Sequence, residues 1–313
     1  MQVTPITVGK SVSLGVIAER QIAVITFDQV DSKVNLLSSA VMAELAAIVD
    51  RLEKASSNYR GLIIISGKAN VFIAGADIKE IQSARTVDQK IVFEACENGK
   101  KLLDRIKALP YRKVAAVNGR CLGGGLEVAL HCNHIVATGN ESTVFGLPEV
   151  GLGVLPGWGG SILAPRKVGF VAALPLILQP LKPWSARRAW QEGLVSEVVA
   201  EENLMKRAVE IALGARIKRY EAPTYVKVAR ALGNTFLARF VVSKITEIGI
   251  KKAPKDNRLA ARSALKVMNA AFSKSTFAGY KLESETFARL SHTEQCGNCV
   301  QKFLDYQASK KKG

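Results

Sequence analysis

Lys113-Val114-Ala115-Ala116-Val117-Asn118-Gly119-Arg120-Cys121-Leu122-Gly123-Gly124-Gly125-Leu126-Glu127-Val128-Ala129-Leu130 carries the strongest structural signal in the 313-residue chain. Residues 113–117 read as a buried strand. A glycine-dense turn follows, and Leu126–Leu130 reads as the start of an apolar helix. Glycine after a buried strand permits a tight turn and lets a ligand approach the main chain closely. The first N–H groups of a following helix have no intrahelical partner and point outward. Glu127 is the one acid in that helix start. It is either a charge complementing the helix dipole or a working acid/base.

Upstream of this stretch, strand and helix patterns alternate. Residues 12–18 and 21–27 alternate apolar and polar positions and predict two strands joined at Glu19-Arg20. Val41, Leu45, Ile48, Val49 and Leu52 fall at helical spacing after the start signal Ser38-Ser39. Residues 61–66 read as a buried strand, and residues 87–109 as an amphipathic helix stopped by Pro110. This order predicts an α/β layered core with right-handed crossovers. Downstream, strand signals fade beyond about residue 160. Residues 185–192, 201–216 and 257–290 read as helical, with residues 251–256 as an exposed loop. The expected organisation is a core over residues 1–215 and a basic, mainly helical extension over residues 216–313.

Composition excludes whole classes. With 48% hydrophobic and 23% charged residues, the chain is not disordered, collagenous or a disulfide-rich miniprotein. The formal charge is +17, and residues 211–313 hold 20 Lys/Arg against 7 Asp/Glu. The last third is therefore expected to attract something anionic, such as a phosphate-bearing ligand or nucleic acid. The longest apolar run, Phe170–Leu181, is broken by Pro175 and Pro180 and is shorter than the roughly 18 residues of a membrane span. Neither end carries a recognisable targeting or lipidation signal. Five cysteines form an odd set, as expected of free thiols. The expectation is a cytoplasmic protein, with mitochondrial or peroxisomal residence as alternatives, and no membrane partner.

Two further segments are glycine-dense: Phe72-Ile73-Ala74-Gly75-Ala76-Asp77 and Gly151-Leu152-Gly153-Val154-Leu155-Pro156-Gly157-Trp158-Gly159-Gly160. Nucleotide loops do not explain them. No Gly-Lys-Ser/Thr occurs, and the third glycine of a dinucleotide fingerprint is replaced by Pro156 or Ile162. A second isolated acid, Glu149, lies in the apolar run Phe145–Gly153. Two partly buried carboxylates beside free main-chain donors would suit acid/base work next to an oxyanion site.

Ala74-Gly75-Ala76-Asp77, the run from Asn118-Gly119 through Gly123-Gly124-Gly125-Leu126-Glu127, and Leu147-Pro148-Glu149 to Gly159-Gly160 resemble, in order and spacing, the enoyl-CoA hydratase/isomerase (crotonase) family. The resemblance spans roughly residues 12–200. A weaker one, from Gly279-Tyr280-x-x-Glu283 to Phe303, is similar to the end of the hydratase module of multifunctional fatty-acid β-oxidation enzymes.

The resemblance implies a crotonase-like spiral of β-β-α units with a helical C-terminal extension. It implies that the N–H groups of Ala76 and Gly124 donate to a thioester oxygen, that Glu127 activates water, and that Glu149 exchanges the α-carbon proton. Ala74, Asp77, Ile78 and Lys79 would surround the CoA, and Gly123, Leu147, Pro148, Gly157 and Trp158 would contact substrate. Having both acids favours hydration of a trans-2-enoyl-CoA. A Δ3,Δ2-enoyl-CoA isomerase is the alternative, and an RNA-binding member with a residual CoA site is a third. The basic tail lacks the interleaved aromatics of a stacking platform, which weakens the RNA reading. No metal or cofactor is implied, since CoA is part of the substrate. A homo-trimer or hexamer is expected, with a monomer as the alternative. Between the two acids the chain is slightly longer than is common, with extra residues near Gly139–Ser142, and Trp158 stands where a smaller residue is frequent.

Other constellations carry less. Cys296, Cys299 and His292 lack a fourth metal ligand nearby, and His131 and His134 are read as structural. Cys121 would be a nucleophile only beside a base. Met205, Phe93 and Phe240 are expected in the core.

Overall fold

The computed structural model describes residues 2–311. Strands β1 (Thr4–Val8), β2 (Val12–Ile17) and β3 (Ile22–Phe27) form an antiparallel meander. The turn between β2 and β3 places Gln21 in the left-handed region, at φ 52°. Helix α1 (Ser39–Lys54) starts where Ser38 caps it, its hydroxyl accepting from Val41 N, and buries the apolar stripe read from the sequence. Strands β4 (Gly61–Ser66) and β5 (Asn70–Ile73), helices α2 (Ile78–Ser83) and α3 (Gln89–Ala108), and strands β6 (Arg112–Val117) and β7 (Gly119–Leu122) lead to helix α4 (Gly124–Leu130). Strands β8 (His134–Thr138) and β9 (Val144–Gly146), helices α5 (Gly160–Val168) and α6 (Phe170–Leu178), strand β10 (Trp184–Ser185), helix α7 (Ala186–Gln191), strand β11 (Glu197–Val199) and helix α8 (Leu204–Ala212) follow. The remainder is helical: α9 (Thr224–Gly233), α10 (Phe236–Ile250), α11 (Arg258–Ser273), α12 (Thr276–Ser291) and α13 (Glu294–Lys311).

Two sheets result. The larger runs β1-β2-β3-β4-β6-β8-β11, parallel from β3 onward, and the smaller runs β10-β9-β7-β5. From β4 to β9 successive strands alternate between the two sheets, so each sheet keeps chain order but skips strands. The α/β expectation with a helical C-terminal region holds. Strands β1, β5, β7, β8, β9, β10 and β11 were not expected. They are two to five residues long, too short to show a period against their surroundings. The helical reading of residues 257–290 resolves into two helices, because Ser275 supplies a fresh cap that accepts from Ala278 N.

The chain divides into two compact units. One comprises Met1–Ala76, Gly99–Phe145 and Trp184–Glu221, and the other Asp77–Asn98, Gly146–Pro183 and Ala222–Gly313. In the first unit α8 lays Leu204, Ala208, Val209 and Ile211 on Ile63, Val114, Ala116 and Val136 of the larger sheet. Each Leu, Ile or Val among them contributes about 1.5–3 kcal/mol of burial free energy. In the second unit Phe170 of α6 meets the edge of Phe272 of α11 at 6.2 Å between ring centroids. Phe240 departs from expectation: it is 53% exposed on α10. Its residue type alone suggested core, but the side chain is turned outward. Phe93 is half-buried, and Met205 packs at the margin of the sheet core. Among the described residues no helix is long and apolar enough to cross a membrane.

Candidate active site

In the first unit, β5 and β7 run parallel with Ile73 opposite Cys121. The segments leaving these strands are therefore in step, and Ala76 and Gly124 each lie three residues beyond the paired positions. Each exit turns by means of glycine. Gly75 has φ 125°, and Gly123 has φ 53° with ψ −128°, a region essentially reserved for glycine. Gly75 approaches the Leu122 carbonyl, where a Cβ would lie 3.6 Å away. At Gly125 a Cβ would collide with the Ile73 carbonyl oxygen, so only glycine lets α4 sit this close to β5.

Helix α4 has no side-chain cap. Its N-cap is Gly123, whose carbonyl accepts from Leu126 N at 2.8 Å and Glu127 N at 3.1 Å. The Ala76 exit is fixed from the other side. Leu37 N donates to Gly75 O, and Ala74 N donates to Asn35 O, both at 2.9 Å. Asn35 is fully buried, and its side-chain NH2 lies within 3.0 Å of Phe27 O, Ser66 Oγ and Phe72 O. Sequence reasoning missed Asn35, because its partners come from three separate elements.

Glu127 is buried in α4. Its carbonyl faces His131 Nδ1 at 2.7 Å, and burial lowers that imidazole to about 4, so the ring is neutral and structural. Cys121 is fully buried, and burial holds its thiol well above its ordinary range, unsuited to nucleophilic work. The residues near Gly139–Ser142 form a surface turn between β8 and β9, with Gly139 and Glu141 exposed and Thr143 N donating to Asn140 O at 2.9 Å. The extra length is thus absorbed outside the core.

In the second unit Glu149 stands in a 3-10 turn, Pro148–Leu152, that opens with Pro148 and ends at Gly153 with φ 77°. Leu147 N, just before it, donates to Leu176 O at 3.1 Å, and Asn257 Nδ2 donates to Val150 O at 2.8 Å. Glu149 Oε2 is buried without a hydrogen-bond partner. Burial pushes this carboxyl up to about 8; a bond to its own main chain opposes the shift, and the Glu283 carboxylate adds to it. A buried acid with an unpartnered oxygen, protonated near neutrality, is the kind of group that moves protons.

Glu283 itself is fully buried on α12 and accepts from Gly159 N at 2.6 Å and Ser161 N at 2.9 Å. It thereby satisfies the orphan donors at the start of α5, whose N-cap Gly159 has φ 104° and no cap of its own. The sequence placed Glu283 inside a motif without a role, because its partners lie more than 120 residues away.

The remaining candidates are distributed as follows. Ala74 is half-buried. Asp77 caps α2, its Oδ1 accepting from Lys79 N at 2.9 Å; Ile78 is half-buried and Lys79 exposed. Leu147 and Gly157 are buried, Pro148 and Trp158 half-buried. A Cβ on Gly157 would meet the Phe287 ring at 3.3 Å. His292 places its two ring nitrogens against Ala288 O and Val87 O, and Cys296 and Cys299 are buried thiols.

The family model for enoyl-CoA hydratase/isomerase matches residues 18–236. The chain belongs to that family. Solved structures similar to it include human mitochondrial delta3-delta2-enoyl-CoA isomerase, at 20% identity with TM-score 0.67 over 96% of this chain and 99% of that one. A carnitinyl-CoA dehydratase from Mycobacterium thermoresistibile is 19% identical, with TM-score 0.71 over 95% and 90%. An enoyl-CoA hydratase from Bacillus anthracis is 24% identical, with TM-score 0.56 over 98% and 97%. At these identities the structures speak for the crotonase fold, and the family match speaks for CoA-thioester chemistry.

Proposed function

We propose that this family member is an enoyl-CoA hydratase, adding water across the double bond of a trans-2-enoyl-CoA to give the 3-hydroxyacyl-CoA. The observation that carries the proposal is the matched three-residue offset of Ala76 and Gly124 beyond the Ile73–Cys121 pair. Two main-chain donors at the ends of adjacent parallel strands suit an oxygen that becomes negative in the transition state. Losing one such donor typically costs about 10²–10³ in rate.

In this reading the thioester oxygen accepts from Ala76 N–H and Gly124 N–H, which draws electron density from C3. Glu127 takes a proton from water as its oxygen bonds to C3, and the π electrons move toward the thioester to form an enolate. The Glu149 carboxyl, protonated at neutral pH through burial, supplies the proton to C2 as the enolate collapses. Proton exchange then restores both acids. The reaction draws on no metal or redox group, and CoA enters and leaves as part of substrate and product. Ala74, Asp77, Ile78 and Lys79 on the CoA side, and Gly123, Leu147, Pro148, Gly157 and Trp158 on the acyl side, complete the proposed contacts.

Isomerisation of a 3-enoyl-CoA is the second reading: the ionised fraction of Glu149, a stronger base than an ordinary carboxylate because burial raises it, can take a proton from C2 and return it to C4. Loss of enoyl-thioester absorbance with crotonyl-CoA separates the two. Glu127→Gln should abolish water addition yet spare any conversion of 3-enoyl-CoA, whereas Glu149→Gln should abolish both. Turnover of crotonyl-CoA that survives Glu127→Gln unchanged overturns the hydratase assignment.

A further inference from the structure

Helix α10 is built inside out. Its inward side makes the polar contacts: Arg239 is buried, donates through Nη1 to Asn234 O, and stacks its guanidinium 4.9 Å from the centroid of Phe272. Ser243 Oγ accepts from Asn269 Nδ2 at 3.0 Å on α11. Its outward side is apolar, with Phe236 77% and Leu237 71% exposed, followed by Phe240, Val241, Ile245 and Ile248 at helical spacing. Helix α9 repeats the pattern with exposed Tyr225, Val228 and Leu232. The turn between them is anchored, since Phe170 N donates to Asn234 Oδ1 at 2.9 Å and Thr235 caps α10. The polar anchors on the inner side fix the roll of α10, so the apolar side cannot turn inward without breaking them.

The charge around this face narrows what covers it. Residues 222–255 contain seven Lys/Arg and one acid, Glu247. Lys244 lies within the apolar face, 5.7 Å from the Phe240 ring centroid and 3.8 Å from Glu247, and Lys251 and Lys252 are exposed at its end. A second copy seated on the same face would bring these like charges together. A negatively charged bilayer surface complements them. It accepts aromatic and aliphatic side chains at the headgroup level while the lysine stems extend toward lipid phosphates.

We propose that α9 and α10 form an interfacial docking surface for anionic phospholipid bilayers, lying on the membrane without crossing it. This departs from the sequence expectation of no membrane partner. That expectation followed from the lack of a spanning run, and an interfacial helix pair needs none.

Flotation of the full chain with extruded vesicles tests the proposal. Vesicles of phosphatidylcholine with about 30% phosphatidylglycerol should recover the protein at low salt at least tenfold more strongly than pure phosphatidylcholine. The variant Phe236→Ser/Leu237→Ser/Phe240→Ser should lose about tenfold or more of that binding with an unchanged circular dichroism spectrum, since the three side chains are exposed. Lys244→Glu/Lys251→Glu/Lys252→Glu should lose the preference for anionic lipid. Three results would overturn the proposal. One is no recovery with either vesicle. Another is full binding by both variants. The third is a self-associating wild type that the serine variant makes monomeric, without vesicle binding by either.

Discussion

Glu149 concentrates the chemistry of the account in one side chain. Its folded carboxyl titrates near 8, against an ordinary value of 4.5, so between those pH values the native state holds a proton that the unfolded chain has released. Stability must therefore fall as pH rises through that window, by up to about 1.4 kcal/mol per pH unit from this group. Denaturant titrations of wild type and Glu149→Gln across that range should diverge, the glutamine variant losing less stability toward pH 8. Parallel curves would mean the carboxyl titrates normally. The same proton governs catalysis in the proposed reaction, so hydration should decline above about pH 8 as Glu149 loses it.

At the scale of elements, two helix starts do unlike work. Helix α4 begins on glycine alone, and Gly125→Ala would push it off β5 through contact with the Ile73 carbonyl. We expect a loss of about 1–3 kcal/mol in stability from the steric conflict. We also expect kcat to fall by about 10²-fold as the Gly124 donor shifts. Thermal melting and crotonyl-CoA turnover check both effects, and a variant with wild-type kcat would separate α4 from the chemistry. Helix α5 begins on the Glu283 carboxylate. Glu283→Ala strands the Gly159 and Ser161 N–H groups in the interior and should cost about 1–3 kcal/mol for each. Glu283→Gln keeps an acceptor and should cost less. Because it removes the charge beside Glu149, it should also move the alkaline limb of the pH–rate profile to lower pH. An unmoved limb would show that the two carboxyls do not interact.

Much of this was legible from local pattern. Helices α1 and α3 show the period of one buried side, β2 and β3 alternate, and β4 and β6, buried almost throughout, stand out as continuous apolar runs. Glycine at 75, 123 and 125 marked the turns, and Glu127 and Glu149 stood out as single acids in apolar surroundings. Contacts between distant segments were not legible. Asn35 bonds three separate elements, and Glu283 acts across more than 120 residues. Phe240 on α10 was read as core, because an aromatic side chain in the sequence does not show what lies against it.

At the scale of the whole molecule, a formal charge of +17 meets a substrate class whose CoA carries phosphates. Long-range attraction speeds encounter and is screened by salt, with a Debye length of about 10 Å at 0.1 M. Raising the ionic strength should therefore lower kcat/KM for an enoyl-CoA several-fold and leave kcat nearly unchanged. Insensitivity of kcat/KM to salt would confine the basic residues to other roles.

In the proposed reaction the Ala76 and Gly124 amides polarise a thioester carbonyl. Isotope-edited infrared difference spectra of carbonyl-labelled crotonyl-CoA bound to Glu127→Gln observe that oxygen directly, because the bound thioester is not consumed. Polarisation by two amides should place the carbonyl stretch at distinctly lower frequency than in free crotonyl-CoA. A bound carbonyl that absorbs at the free frequency would contradict it.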